Sequence, residues 1–360
     1  MYYSKGRFDN SPNEKPRTGQ QSHPGVNQKR LSPESGLDTP ILARAPEKGN
    51  LAMCNILPRE KQIEVLHHFV EGNTLRSTAR LTGVHRTTIM NLMVDFGQKC
   101  KVFMDTQLRG LTLEHIECDE IWTFVQKKQA RLTTEEKAEC HDIGEVYLWT
   151  CLDQRTKLVA SFLVGKRSGD NARRLMKDLA SRLTFPKPHA SDPHAYRASG
   201  YVYVTRLSSD AFAAYPEAID LAFGPYAKFG TIKKDYRNAE QPGRYAPPEM
   251  VGTERRGVFG ITEDEERSIC TSHVERHNLT IRTLMKRFTR LSLGFSKKLE
   301  NLEAACAMFL AYYNFVWRTH DVVNDRTRLP AAMAAGVVNT LWNFEDLFDR
   351  VMGGQYAIAA

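Results

Sequence analysis

From Pro58 the apolar residues recur at helical spacing: Ile63, Leu66 and Val70 share one stripe, which stops at Glu71-Gly72-Asn73, where glycine supplies a turn. A second short helix is expected from Thr74, with Leu75, Ala79 and Leu81 as its apolar positions and Gly83 at its close. A third runs from about His85 through Ile89, Leu92, Met93 and Phe96. Three short helices with a glycine-centred turn before the last read as a helix-turn-helix over 53–110. That reading puts His85, Arg86, Thr87, Thr88 and Asn91 on the open face of the recognition helix. A plain three-helix packing module has the same pattern.

At Leu111 the period changes from helical to two. Ile116, Cys118, Trp122 and Phe124 alternate with His115, Glu117, Asp119, Ile121 and Val125, which predicts a long strand. Val146 to Leu152 and Leu158 to Val164 predict two more, joined through Asp153-Gln154-Arg155-Thr156. A helix from Asp170 to Leu183 follows, with Asp170 as its N-cap and Leu175, Leu179 and Leu183 on one face. Tyr201 to Leu207 predicts a fourth strand ending at Ser208-Ser209-Asp210, and Phe229 to Lys233 a fifth. Residues 236–268 have no period and read as a loop insertion. Long helices are expected from Ser272 to about Arg290 and from Leu299 to Trp317, and 321–360 reads as a helical extension. This order is α/β and suits a ribonuclease H-like mixed sheet over 111–320, although other α/β sheets share it.

Composition adds the boundaries. Residues 1–52 read as a disordered basic tail, since 1–50 holds six prolines and no apolar period; Met53 leaves a second in-frame start. Lys and Arg number 50 against 42 Asp and Glu, a net +8, which favours anionic partners without naming one. Seven cysteines with no C-x-x-C pair argue against a disulfide framework and against a zinc ribbon, so a reducing cytoplasm is expected. No apolar run is long enough to span a bilayer, so no membrane is expected among the partners.

Candidate chemistry rests on acids at strand ends. Asp119 in the first strand, Asp210 just after the fourth and Glu275 on the helix after the insertion could meet at one sheet edge and bind hard cations, which take carboxylate oxygens. On a helix, Glu275, Leu279, Arg282 and Lys286 fall at i, i+4, i+7 and i+11. From Arg276 to Lys298 there are seven Lys or Arg and no acid, a pattern that suits either a phosphate-facing surface or a solvated basic face.

The strings CDEIWTFVQKK (118–128), SSDAFAAYP (208–216), TSHVERHNLTIRTLMKRFTRLSLGFSKKLEN (271–301), YYNFVW (312–317) and PAAMAAGV (330–337) resemble transposases of the insertion sequence 1 family, over roughly 60–345. These are Asp-Asp-Glu enzymes with a ribonuclease H-like catalytic fold. The resemblance implies Asp119, Asp210 and Glu275 as metal ligands for two Mg²⁺ or Mn²⁺ ions, with Glu120 as a non-catalytic neighbour and Arg282 as a basic partner. It implies double-stranded DNA as partner, both terminal inverted repeats and target, and a homo-oligomer acting in the nucleoid. His85, Arg86, Thr87, Thr88, Asn91, Arg276, Lys286, Arg287 and Arg290 are the candidate DNA contacts. Two departures stand out: only Cys54 and Cys100 occur where family members carry a four-cysteine zinc module, so no zinc is expected, and 65 positions separate Asp210 from Glu275. A transposase-derived regulator with a dead site and a nuclease without strand transfer are the alternatives.

Overall fold

The computed structural model describes residues 56–139, 142–184, 205–237, 249–290, 292–318, 320–321 and 326–354. The tail expected at 1–52, with Cys54 and Cys140, lies outside them. Helices α1 (Arg59–Val70), α2 (Leu75–Thr82) and α3 (Arg86–Gln107) come first. Thr74 caps α2 by accepting from the Ser77 N–H at 3.1 Å, and α2 ends on Gly83 at φ +71, a left-handed conformation in which glycine bears no Cβ penalty. In α2 the buried positions are Thr78 and Thr82. Leu81, expected inside, is 60% exposed.

Strand β1 (His115–Val125) is followed by a short α4 (Thr134–Glu139), then by β2 (Gly144–Asp153) and β3 (Val159–Gly165). Asp153 Oδ2 accepts from both the backbone N–H and the hydroxyl of Thr156, at 2.8 and 2.7 Å, and this closes the turn between β2 and β3. Next come α5 (Gly169–Arg182), β4 (Thr205–Asp210), α6 (Tyr215–Phe223) and β5 (Ala227–Arg237). The N-cap of α5 is Ser168, two residues before the expected Asp170. Residues Glu249–Phe259, read from the sequence as loop, form strand β6. Helices α7 (Ser272–Leu284), α8 (Leu299–Phe315) and α9 (Phe344–Gly353) follow, with a small ladder of His320–Asp321 and Arg326–Thr327 and a single helical turn at Ala331–Ala334 between the last two.

The fold is mixed α/β. Its six-stranded sheet has the order β3-β2-β1-β4-β5-β6, with β1–β4 and β4–β5 parallel and the other pairs antiparallel. Helices α5 and α6 pack on one face, while α7 and α8 pack on the other, so β1 is buried from both sides. Helix α8 is apolar nearly all round, as a central helix must be. Its Asn314 amide both donates to and accepts from the Val159 backbone, at 2.9 and 3.0 Å, and so satisfies groups that edge strand β3 would otherwise leave unpaired. Helix α3 lies against α8 closely enough that a Cβ on Gly97 would come within 2.2 Å of the Ala304 carbonyl oxygen. The helices of 56–108 therefore share a continuous core with the sheet rather than standing apart. The buried face of α9, with Phe344 and Phe348 against Phe96, joins the same core. No helix among the described residues is long and apolar enough to cross a membrane.

Candidate metal and active site

The site forms where β4 stops beside β1. In the parallel register Cys118 lies opposite Ser209, and Asp119 and Asp210 each follow by one residue, so the two carboxylates emerge side by side. Glu120 leaves β1 on the other face, where Tyr215 of α6 donates its hydroxyl to Glu120 Oε1. Its carboxylate nonetheless reaches the strand end: ligand atoms of Asp119, Glu120 and Asp210 all lie within 4.8 Å of one another. Glu120, implied by the resemblance to be a non-catalytic neighbour, therefore lies close enough to share a cation with the other two acids. The three carboxylates could hold a metal ion, and an all-oxygen donor set suits a hard divalent cation.

The electrostatics mark the same place. Asp119 is pushed up to about 7, first by desolvation and then by the charge of Glu120, with smaller contributions from Asp210 and Glu275. Glu120 is also raised, by desolvation and then by Asp210. Two protein cations offset part of this repulsion. Arg167 donates from Nε to Glu120 at 3.0 Å and from Nη2 to Asp210 at 2.9 Å, and its guanidinium lies 4.1 Å from the centre of the Phe212 ring. Lys234 of β5 pairs with Glu275.

Glu275 stands outside the tight triplet. It accepts from the Thr271 hydroxyl at 2.7 Å and lines, with Asp210 and Lys234, a cavity of about 280 Å³. Asn278, one turn further along α7, donates to Asp119 Oδ2 at 2.7 Å. The angle of α7 is set by Glu117, a buried carboxylate two residues before Asp119 on β1. Its Oε2 accepts from the His273 and Val274 N–H groups, both at 2.9 Å, and Oε1 takes His273 Nδ1 at 2.7 Å. Thr271, the N-cap of α7, makes no side-chain cap bond, so Glu117 fills that role from another strand. Glu117, Cys270 and His273 also form a second group of possible ligands, but both Glu117 oxygens are engaged with the helix start.

No family model and no curated protein matches this chain significantly.

Helix α7 ends at Leu284, short of the expected Arg290, because Met285 turns extended and the Arg282 carbonyl accepts from the Thr289 hydroxyl at 2.8 Å. Arg282 is half-buried on the last turn. Desolvation and then the Arg290 charge lower its pKa, while Asp119 opposes that shift. Lys286, Arg287 and Arg290 lie beyond the helix, so the face expected to join Glu275 and Arg282 to Lys286 is interrupted. Arg287 turns inward, donating to Ser296 Oγ at 2.9 Å and touching the Met93 sulfur at 3.3 Å. Arg276 and Arg290 are exposed. His85, Arg86, Thr87, Thr88 and Asn91 are all exposed at the start of α3, where His85 is the N-cap and accepts from the Thr87 N–H at 3.3 Å.

Sequence reasoning missed Glu117, Glu120, Arg167, Lys234 and Asn278 as partners in the site. Glu117 had a signal, since it shares a strand face with Asp119, and so did Asn278, three residues after Glu275 on a helix. Arg167 had none, because only the folded chain brings the end of β3 to the end of β4.

Proposed function

We propose that this chain is a DNA transposase, which cuts element ends and joins them to target DNA by metal-dependent phosphoryl transfer on a ribonuclease H-like catalytic fold. The observation that carries the reading is the crowding of Asp119, Glu120 and Asp210 at one strand end, with Asp119 held near 7 by burial and like charge. Carboxylates left unbalanced in this way cost stability, as expected where function rather than folding sets the arrangement. The acid of β1 beside the acid of β4, with Glu275 reaching in from α7, supports the fold reading.

In this reading Asp119, Glu120 and Asp210 would hold one Mg²⁺ or Mn²⁺ ion, and Glu275, which lines a cavity with Asp210, would help to hold a second. Bound there, such ions supply positive charge at the attacking and leaving oxygens of a phosphodiester. Asn278 fixes the Asp119 carboxylate, and Glu117 holds α7 so that Glu275 and Asn278 reach the strand end. Arg282 presents a half-buried cation on the same helix to a nearby phosphate. Duplex DNA meets the exposed start of α3, through His85, Arg86, Thr87, Thr88 and Asn91, and the cations Arg276, Lys286 and Arg290. The inward-turned Arg287 supports the loop after α7 rather than contacting a phosphate. Joining two ends requires at least two protomers.

The test uses labelled duplex carrying the inverted repeats that flank the coding sequence, with Mg²⁺ or Mn²⁺. Expected are cation-dependent cleaved and joined products, lost in Asp119→Asn. Binding without cleavage would favour a transposase-derived regulator, and cleavage without joining a nuclease.

A further inference from the structure

We propose that a cleft at the far end of β1 receives an unpaired base of a nucleic-acid strand. Strand β4 stops at Asp210, which leaves the last residues of β1 with a free edge. The chain after α7 takes that edge: Gln126 donates its N–H to the Ser296 carbonyl at 2.9 Å, and Thr123 donates its hydroxyl to the Arg287 carbonyl at 2.7 Å. Between this loop and the strand lies a cavity of about 690 Å³, larger than the one beside Glu275.

Its walls are aromatic and only part-buried. Trp122 and Phe124 lie on one face of β1 with ring centres 5.8 Å apart, and Phe295 of the loop comes within 4.8 Å of Phe124. Five of the lining residues are Lys or Arg and none is Asp or Glu. Lys127 is paired with Glu136 and Arg287 with Ser296, but Lys128, Arg131 and Arg290 are exposed and make no ion pair among the described residues.

Part-exposed aromatic rings inside a cationic rim fit one ligand chemistry well: a planar base on a phosphate backbone. A duplex shows its phosphates and base edges, so only a base that has left the stack can lie flat on Trp122 or Phe124. Trp122 follows Glu120 on the same strand face, roughly 7 Å along. The cleft thus holds a nucleotide close to the acids. This inference rests on the reading of the chain as a DNA-processing enzyme and adds that the strand is locally unpaired where it is processed.

The experiment measures binding of a single-stranded deoxyoligonucleotide containing 2-aminopurine, of the same strand with an abasic position instead, and of the matching duplex. The full chain is expected to quench 2-aminopurine fluorescence and to bind the abasic strand about tenfold more weakly. Trp122→Ala should lose the quenching with a similar fall in affinity, and duplex binding should persist. Should Trp122→Ala not fold, the exposed pair Lys128→Ala and Arg131→Ala should weaken single-strand binding and flatten its salt dependence. Equal affinity for base-bearing and abasic strands, with duplex still bound, overturns the cleft assignment alone. Failure to bind any of the three at low salt overturns it together with the DNA-processing reading.

Discussion

Glu117 and Asp119 stand two residues apart on the same face of β1, both acidic and both largely removed from water, yet their surroundings differ in kind. Glu117 receives three donors, two of them N–H groups at the positive end of α7. Asp119 receives two, the Glu120 N–H at 2.9 Å and the Asn278 amide at 2.7 Å, and it faces other carboxylates, which with burial lift it to about 7. A buried acid with matched donors holds a fold together. A buried acid crowded by its own kind is a place that could hold a cation.

The largest test of this contrast is stability without divalent ions. Glu117→Ala removes a buried carboxylate and strands two helix N–H groups, so a loss of about 3 kcal/mol is expected, from charge-assisted hydrogen bonds of about 1.5–3 kcal/mol each less relaxation. Asp119→Asn should leave stability unchanged or raise it by up to about 1 kcal/mol. Urea denaturation of both variants in EDTA checks this, and equal destabilisation would erase the distinction.

Next in size is the effect of adding Mg²⁺ or Mn²⁺. Wild type should gain about 2.7 kcal/mol at one hundred times the dissociation constant. Asp119→Asn and Asp210→Asn should gain little, and conservative Glu117→Gln should keep most of the gain. Thermal midpoints with and without the cation read this directly. A full gain in Asp119→Asn would remove Asp119 from the ligand set.

The third effect appears on acidification. Asp119 rises from its ordinary 3.8 to about 7 on folding, so between those values the folded chain holds a proton that the unfolded chain has lost, and stability falls as pH rises through that window. His277 acts in the opposite sense. Buried with both ring nitrogens unpartnered in the described structure, it is lowered to about 3, so its contribution is present above 6.5 and is lost as pH falls below that value. The two slopes partly cancel in wild type. Asp119→Asn leaves the His277 slope exposed, and its midpoint should fall more steeply on acidification from about 6.5 to about 4. Parallel profiles for the two proteins would contradict the assigned burial of Asp119.

Much of the fold was legible because β1, β2 and β3 and the helices on either side follow clean periods. The failures have physical causes. In β6 the polar run Glu254-Arg255-Arg256 and two glycines hide the alternation, because an edge strand buries little of itself. Helix α7 seemed to run on because Ile281, Met285 and Phe288 keep helical spacing, but Met285 and Phe288 are buried outside the helix, in the loop that closes the aromatic cleft. The acids Asp119, Asp210 and Glu275 were singled out from strand ends and from the strings that carry the resemblance, and the fold brings Asp119 and Asp210 together while Glu275 stands outside their cluster. Glu120 was implied by the resemblance to be a non-catalytic neighbour, and alternation along the strand gives the direction of its Cβ but not the reach of a glutamate just past the last residue of β1 paired with β4. Arg167 joined the site through a register that no local pattern encodes.

The measurement that tests the central claim most directly is metal-dependent cleavage and joining of labelled inverted-repeat DNA by Asp119→Asn, Asp210→Asn, Glu120→Gln and Glu275→Gln, each shown by gel shift to bind the same duplex. The account predicts that the first two abolish both products, that Glu120→Gln impairs them, and that Glu275→Gln abolishes them, while all four keep duplex binding. Full cleavage by Asp119→Asn or Asp210→Asn, at unchanged cation requirement, would contradict it.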